Sequence, residues 1–184
     1  MSFSRCSSNA ERTGGLLLNP KNNWTKEDVS KMITDNTSST AEEIAQNMMS
    51  KMNEKVLDNT DRKAFSNLRK WKGTNELNDI APTIYNKWLY FYLKDTFEDE
   101  LGKESFNMLL GTHIIKQVIE HQTQNTNSPW WDNINTKNKK ETQSDILTNS
   151  FREAVVSLEK QFGNNVEQWS WGKLHQVEYQ HPIG

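Results

Sequence analysis

Trp169-Ser-Trp171-Gly172-Lys-Leu-His175-Gln-Val-Glu-Tyr179-Gln-His181-Pro182-Ile-Gly184 closes the chain, and the reading of this run decides what fold the remaining residues belong to. Val177 and Tyr179 alternate with polar neighbours, the period of a strand with one covered face. A lone strand cannot satisfy its own backbone groups, and no other stretch of the sequence alternates convincingly. The residues therefore predict a mainly α-helical fragment with one C-terminal strand over 164–184, a strand that returns to a sheet lying outside the chain. A chain that stops inside such a run, just after His-Pro-Ile, reads as unfinished. Two Trp beside β-formers ordinarily pack, and His175 and His181 ordinarily hydrogen-bond within the fold. The run is thus a structural signature and not an active site.

Upstream the pattern turns helical. Thr25-Lys-Glu-Asp28 has the form of a helix cap, followed by Val29, Met32 and Ile33 on one stripe. Asp35-Asn-Thr-Ser-Ser breaks that helix, and Thr40-Ala-Glu-Glu43 caps a second with Ala41, Ile44, Ala45, Met48, Met49 and Met52 along one side. Three Met on a stripe are usually adaptable core and rarely a metal or haem site. A third helix is predicted over Asp61–Trp71, with Lys72-Gly73-Thr-Asn turning the chain after it.

Pro82–Leu101 is the longest helical stretch and is apolar almost all round, so it is expected at the centre of the packing. Glu98-Asp-Glu100 reads as its solvated acidic end and not as a carboxylate pair for acid–base work. Phe106 to Ile119 carry one or two further helices, with His113 and His121 a little over two turns apart, a weak metal-ligand spacing. Residues 122–143 read as a long polar surface loop pinned by Trp130 and Trp131, and Ser144-Asp-Ile-Leu as the cap of a last helix that runs to Phe162 and stops at Gly163. The expected organisation is a poorly ordered start over 1–23, a helical part over 24–163 and the strand segment over 164–184.

Composition bounds the partners. Only 34% of the residues are hydrophobic, 25% are charged and 21 are Asn, which predicts a domain that leans on neighbours for part of its core. The net charge is -2 with both signs interleaved, which argues against nucleic acid as a partner. The single Cys6 cannot form an internal disulfide and leaves the redox compartment open. No run approaches the roughly 20 apolar residues of a membrane span, and the start lacks the apolar segment of a signal peptide. A Ser-His-Asp order, a Gly-rich phosphate loop, a His-Glu-x-x-His motif and a Cys cluster are all absent from the sequence.

Several ordered blocks nevertheless share one likeness. Trp24-Thr-Lys-Glu-Asp-Val…Asp35-Asn-Thr-Ser-Ser-Thr-Ala, Leu68-Arg-Lys-Trp71-Lys-Gly73, Ala81-Pro-Thr-Ile-Tyr-Asn-Lys-Trp88, Trp131-Asp-Asn-Ile…Glu141-Thr and the closing Trp-Gly…His-Pro-Ile-Gly run resemble, in this order, the β chain of the penicillin acylase family. The resemblance implies a parent with the αββα sandwich of N-terminal nucleophile hydrolases. Such a parent cuts itself to expose an amino-terminal Ser, which attacks an amide carbonyl with its own α-amine as base, while a backbone amide and an Asn hold the oxyanion. The nucleophile and the oxyanion Asn are expected upstream of Met1, so no catalytic, cofactor-binding or metal-binding residue is assigned within this chain. Ser2 is not a substitute, because Phe3-Ser-Arg-Cys-Ser-Ser does not continue as the nucleophile strand.

Departures from the family pattern are also visible. Where the family shows Arg-x-x-Arg-[Ile/Val]-x-x-Leu-Leu, Arg12 and Leu16-Leu17 match the later part, but Asn9 stands at the first Arg and Thr13 at the Ile, so residues 1–11 are expected to be foreign to the family. Lys72 replaces an Asp. The resemblance further implies a parent that is periplasmic or secreted, acts on a small-molecule amide, pairs this chain with the remainder of the α and β chains, and has room for calcium elsewhere. Its acyl preference stays open among penicillin side chains, acyl-homoserine lactones and unrelated amides. The rival reading is a helical interaction or scaffold module without catalysis, its aromatics forming a partner-binding face.

Overall fold

Capping chemistry sets the starts of four of the helices. In the computed structural model, which describes residues 14–15 and 23–176, α1 (Lys26–Ile33) begins at a capping box. The Thr25 hydroxyl accepts from the Asp28 amide at 3.2 Å while Asp28 accepts from the Thr25 amide at 3.1 Å. The same reciprocal pair starts α3 (Asn59–Lys70) at Asp58/Asp61 and α6 (Gln143–Phe162) at Thr142/Asp145. Both helices thus begin earlier than the sequence reading placed them: Asp61 and Ser144 lie inside the first turn, and the caps are Asp58 and Thr142.

The cap of α2 (Ser39–Ser50) is Ser38, not Thr40. Its hydroxyl accepts from the Ala41 amide at 3.2 Å. A long-range bond decides between the two candidates: the Ser38 amide donates to the Gly73 carbonyl at 2.8 Å, anchoring the chain there before the helix can start. Gly73 has φ 77°, and a Cβ on it would lie 2.2 Å from the Ser38 oxygen. Only glycine permits this approach.

α4 (Ala81–Leu110) is the axis of the fold, as its all-round apolarity predicted. Gly102, at φ 72° and ψ 159°, breaks it where the sequence reading ended the helix. Its first limb buries Ile84, Trp88, Tyr92, Leu93 and Phe97, chiefly against Leu147, Phe151, Ala154 and Leu158 of α6. The Trp88 ring meets Phe151 edge-on at 5.1 Å, and its N–H donates to the Leu147 carbonyl and the Ser150 hydroxyl, each at 3.1 Å. Phe65 of α3 also meets Phe151, edge-on at 5.9 Å. Met48, Met49 and Met52 are core side chains of the same cluster.

α5 (Ile115–Gln124) leads into residues 125–142, the loop expected from its polarity. Trp131 is buried against Tyr92 at 6.0 Å with its N–H on the Asn125 carbonyl at 2.9 Å, and Trp130 packs on Phe97 at 5.1 Å. Gly163, at φ 84°, ends α6.

The C-terminal strand is the main correction. Among the described residues there is no strand; the segment after Gly163 forms a single 3-10 turn, Val166–Gln168, and the short helix α7 (Trp171–Leu174). The reason lies in where its polar groups go. Trp169 is fully buried and its indole N–H donates to the Gly163 carbonyl at 2.8 Å, curling the chain back on itself. The amides of Trp171 and Gly172 then donate to the carbonyls of Asp79 and Leu77 at 2.7 and 2.8 Å, so a loop of the same chain takes the bonds a sheet would have offered. The alternating residues Val177 and Tyr179, with His181 and Pro182, lie outside the described residues, as do residues 1–13 and 16–22.

A second correction concerns α1. Its predicted stripe faces no core: none of its residues is buried, and Ile33 is 76% exposed. The interior elsewhere is one continuous apolar cluster running from α2 to α6, built by the chain's own residues despite the polar composition.

Candidate functional site

The break at Gly102 separates two limbs of α4, and the space between them and α5 is an open cleft of about 770 Å³. Phe97, Leu101, Leu109, Val118 and Trp130 form its apolar wall. Gln117, His121 and Gln122 face it from α5, spaced so that one side of that helix lines the opening. Gln122 is buried and already exchanges hydrogen bonds with the Ser128 hydroxyl at 3.0 and 3.1 Å, which makes it a fixed part of the wall. Gln117 and His121 are exposed at the rim.

A second hollow, of about 310 Å³, lies on another side of α4 and is acidic. Asp95, Glu98 and Asp99 follow at helical spacing and face Asn133 and Asn135 of the loop, with Lys94 beside them. Asp99 accepts from the Ile134 amide at 2.9 Å, tying the loop to the helix. Burial pushes the Asp95 carboxyl up to about 7, with Glu153 of α6 adding to the rise, Lys94 opposing it, and Glu98 and Asp99 adding smaller increments. Partial desolvation, a hydrogen bond shared with Asp99 and the charges of Asp99 and Asp132 raise Glu100 to about 7 as well.

Within the Glu98-Asp-Glu100 stretch Asp99 is therefore tied to a loop, whereas Glu100 is exposed, as a solvated acidic stretch would be. The sequence signal for this hollow is Asp95, three and four residues before Glu98 and Asp99 and hence on their face.

Stability should accordingly depend on pH in a definite direction. Asp95 holds its proton in the folded state up to about 7, whereas the unfolded chain releases it near 3.8. The stabilisation is complete below the lower value and is lost as pH rises through the window between them. Resistance to urea is expected to fall from pH 4.5 to 7.5, and Asp95→Asn to remove about 2 kcal/mol of that fall after allowance for partial exposure. A profile unchanged by the substitution would show that Asp95 titrates normally.

The other residues singled out by sequence do not converge. His113 lies exposed in the turn before α5, His121 at the cleft rim, and His175 stacks on Trp171 at 4.7 Å and 5°. Among the described residues no group of three His, Cys, Asp or Glu side chains could hold a metal ion, and no helix is long and apolar enough to cross a membrane. Ser2, Cys6, Asn9, Arg12 and Thr13 lie outside the described residues. Trp171 and Gly172 clamp the end of the described chain onto the loop at Asp79 and Leu77, and Trp169 ties it to Gly163.

Comparison with known proteins gives this arrangement a context. The family model described as penicillin amidase matches residues 8–184, so the match begins before Arg12 and takes in residues 8–11, which the sequence reading had set aside. The chain is similar to the acyl-homoserine lactone acylase QuiP of Pseudomonas fluorescens, 28% identical over 128 residues, covering 67% of this chain and 16% of the relative. It is similar to the same acylase of Pseudomonas syringae pv. syringae, 30% identical over 64% of this chain and 15% of the relative, and of Pseudomonas aeruginosa, 29% over 65% and 14%. The matched part of the chain thus spans about a sixth of the length of these relatives. No solved structure matches.

Proposed function

The chain belongs to the penicillin amidase family, and from that premise we propose that it is the helical part of the β chain of an acylase that hydrolyses a linear amide. The supporting observation is the family match over nearly the whole chain, joined to relatives whose names make them acylases. In this reading the parent uses an amino-terminal Ser, exposed by self-cleavage and located outside these residues. Attack on the amide carbon forms an acyl-enzyme and expels the amine, which takes up the proton passed through the α-amine; water then releases the acid. A backbone amide and an Asn side chain stabilise the intermediate oxyanion.

The role of residues 24–176 is then mechanical. The α4–α6 pair gives a rigid block, and the parent's αββα sandwich packs against it. The acyl-homoserine lactones in the relatives' names are the first substrates to try, with penicillin side-chain amides second. The parent is periplasmic or secreted, and any calcium it binds lies elsewhere.

The test uses the longer protein that carries this chain, assayed for release of acid from an N-acyl-homoserine lactone and from a chromogenic phenylacetyl amide. Hydrolysis that disappears when the amino-terminal Ser becomes Ala is the expected result. A folded, self-cleaved protein inert toward both would overturn the reading.

A further inference from the structure

α1 is a capped helix whose apolar stripe the described residues leave largely uncovered. The Thr25–Asp28 capping box satisfies its amino end, and at the other end the Thr34 amide donates to the Ser30 carbonyl at 3.0 Å. Trp24 and Val29 stand at the two positions of a hydrophobic staple, and Val29, Met32 and Ile33 follow at the spacing of one stripe. Yet Trp24 is 42% exposed, Val29 38% and Ile33 76%. A helix shorter than roughly 12–15 residues is marginal in water without packing, and α1 has eight. Its stripe needs a cover.

The hydrogen bonds at its foot show where the helix is held. The Asn36 side chain donates to the Asn75 carbonyl at 3.1 Å, and Asn75 donates back from its amide to Asn36 Oδ1 at 3.2 Å and from its side chain to the Asn36 carbonyl at 2.6 Å. The loop between α3 and α4 that carries Asn75 also receives the Trp171 and Gly172 amides on its Asp79 and Leu77 carbonyls. Both α1 and α7 are thereby moored to one loop, and Leu77 in that loop is 69% exposed.

Size decides against a second copy of the chain as the cover. α1 is about 12 Å long, and its stripe offers far less than the roughly 800 Å² per partner that a stable association of separate molecules buries. A segment of the same polypeptide can cover it without the loss of translational and rotational freedom that separate molecules incur. The family match over residues 8–184 includes α1 with sequence on both sides of it, and the matched part of the chain is about a sixth of the length of the relatives. In a parent of that length, most of the polypeptide available to cover α1 lies outside these residues.

Taking the chain as part of a longer acylase, as above, we propose that α1 and the mooring loop at Leu77 are the surface through which this helical block is joined to the rest of that polypeptide. The occupant is an apolar slot in the part outside these 184 residues, closing over Trp24, Val29 and Ile33. Lys26, Glu27 and Lys31, which are exposed, stay on the wet side of the helix.

The test is hydrogen exchange of the α1 amides, measured on the 184-residue chain and on the longer protein that carries it. Exchange should be slower in the longer protein by on the order of a hundredfold. Ile33→Asp should leave the urea midpoint of the 184-residue chain unchanged and return α1 in the longer protein to its fast exchange. If that variant of the longer protein is insoluble, Ile33→Ala should still speed α1 exchange several-fold. The proposal is overturned by α1 exchanging at one rate in both proteins, by Ile33→Asp lowering the midpoint of the 184-residue chain, or by sedimentation of that chain as a dimer that Ile33→Asp dissociates. Acid release is read separately: α1 protected in a protein inert toward both amides upholds the docking surface and sinks the acylase reading, and an active protein with α1 unprotected does the reverse.

Discussion

Trp88→Ala should cost the fold about 3–5 kcal/mol, the range for deleting a large buried aromatic, and it should be among the most damaging single truncations in the chain. Trp88 is completely buried on α4, meets Phe151 of α6 edge-on at 5.1 Å, and has its N–H shared between the Leu147 carbonyl and the Ser150 hydroxyl. Truncation removes the ring from the seam between the two longest helices. The cavity it leaves adjoins Phe151, whose other neighbour is Phe65 of α3, so three helices lose packing together. Trp88→Phe separates the contributions. It retains most of the volume but leaves the Ser150 hydroxyl without its donor, and should cost roughly 1–3 kcal/mol. Chemical unfolding of both variants checks the order; equal losses would mean that the hydrogen bonds and not the ring hold the seam.

Gly73→Ala should be comparably severe, although it adds only one methyl group. The added Cβ would sit 2.2 Å from the Ser38 carbonyl oxygen and 2.8 Å from its carbon, both backbone atoms that cannot rotate away. Gly73 also lies at φ 77°, a conformation that costs an L-residue about 1–2 kcal/mol by itself. Strain and forced displacement of the α2 start together are expected to reach about 3–4 kcal/mol. Gly163→Ala is the control, because Gly163 has a similar φ of 84° with nothing within 4 Å of its Cβ. It should lose only the conformational part, about 1–3 kcal/mol for the glycine-favouring region at ψ 171°. If the two substitutions cost the same, the close approach of Gly73 to Ser38 does not hold the molecule together as described.

These two sites also show what the sequence could and could not disclose. The place of α4 was legible because apolar residues take up most of its circumference, and such a helix has to be covered on most sides. Its end at Gly102 was legible for a local reason, the glycine itself. The cap of α2 was not, because Ser38 and Thr40 are equally able to cap, and a bond to Gly73 from far along the chain chose between them. The same limit explains the strand. Alternation of Val177 and Tyr179 carried the expectation, but the described residues before them are fixed by Trp169 on Gly163 and by the carbonyls of Leu77 and Asp79, partners that no local pattern announces.

The cleft and the acidic hollow were hidden for a related reason. Each is assembled from α4 and a loop or helix that follows it, so Asp95 acquires its raised affinity for a proton partly from Glu153 on α6. The family blocks, in contrast, were readable because several are tied to rigid geometry: Trp71 donates to the Thr74 carbonyl at 2.6 Å, Gly73 abuts Ser38, and Trp88 anchors the central seam.

We read these residues as a supporting helical block of an acylase whose reacting groups lie elsewhere. The amide assay applied to the purified 184-residue chain tests it most directly, with helix content confirmed on the same sample. A folded chain that releases no acid from a chromogenic phenylacetyl amide or an N-acyl-homoserine lactone is expected; sustained turnover, abolished by a substitution within these 184 residues, would overturn that reading.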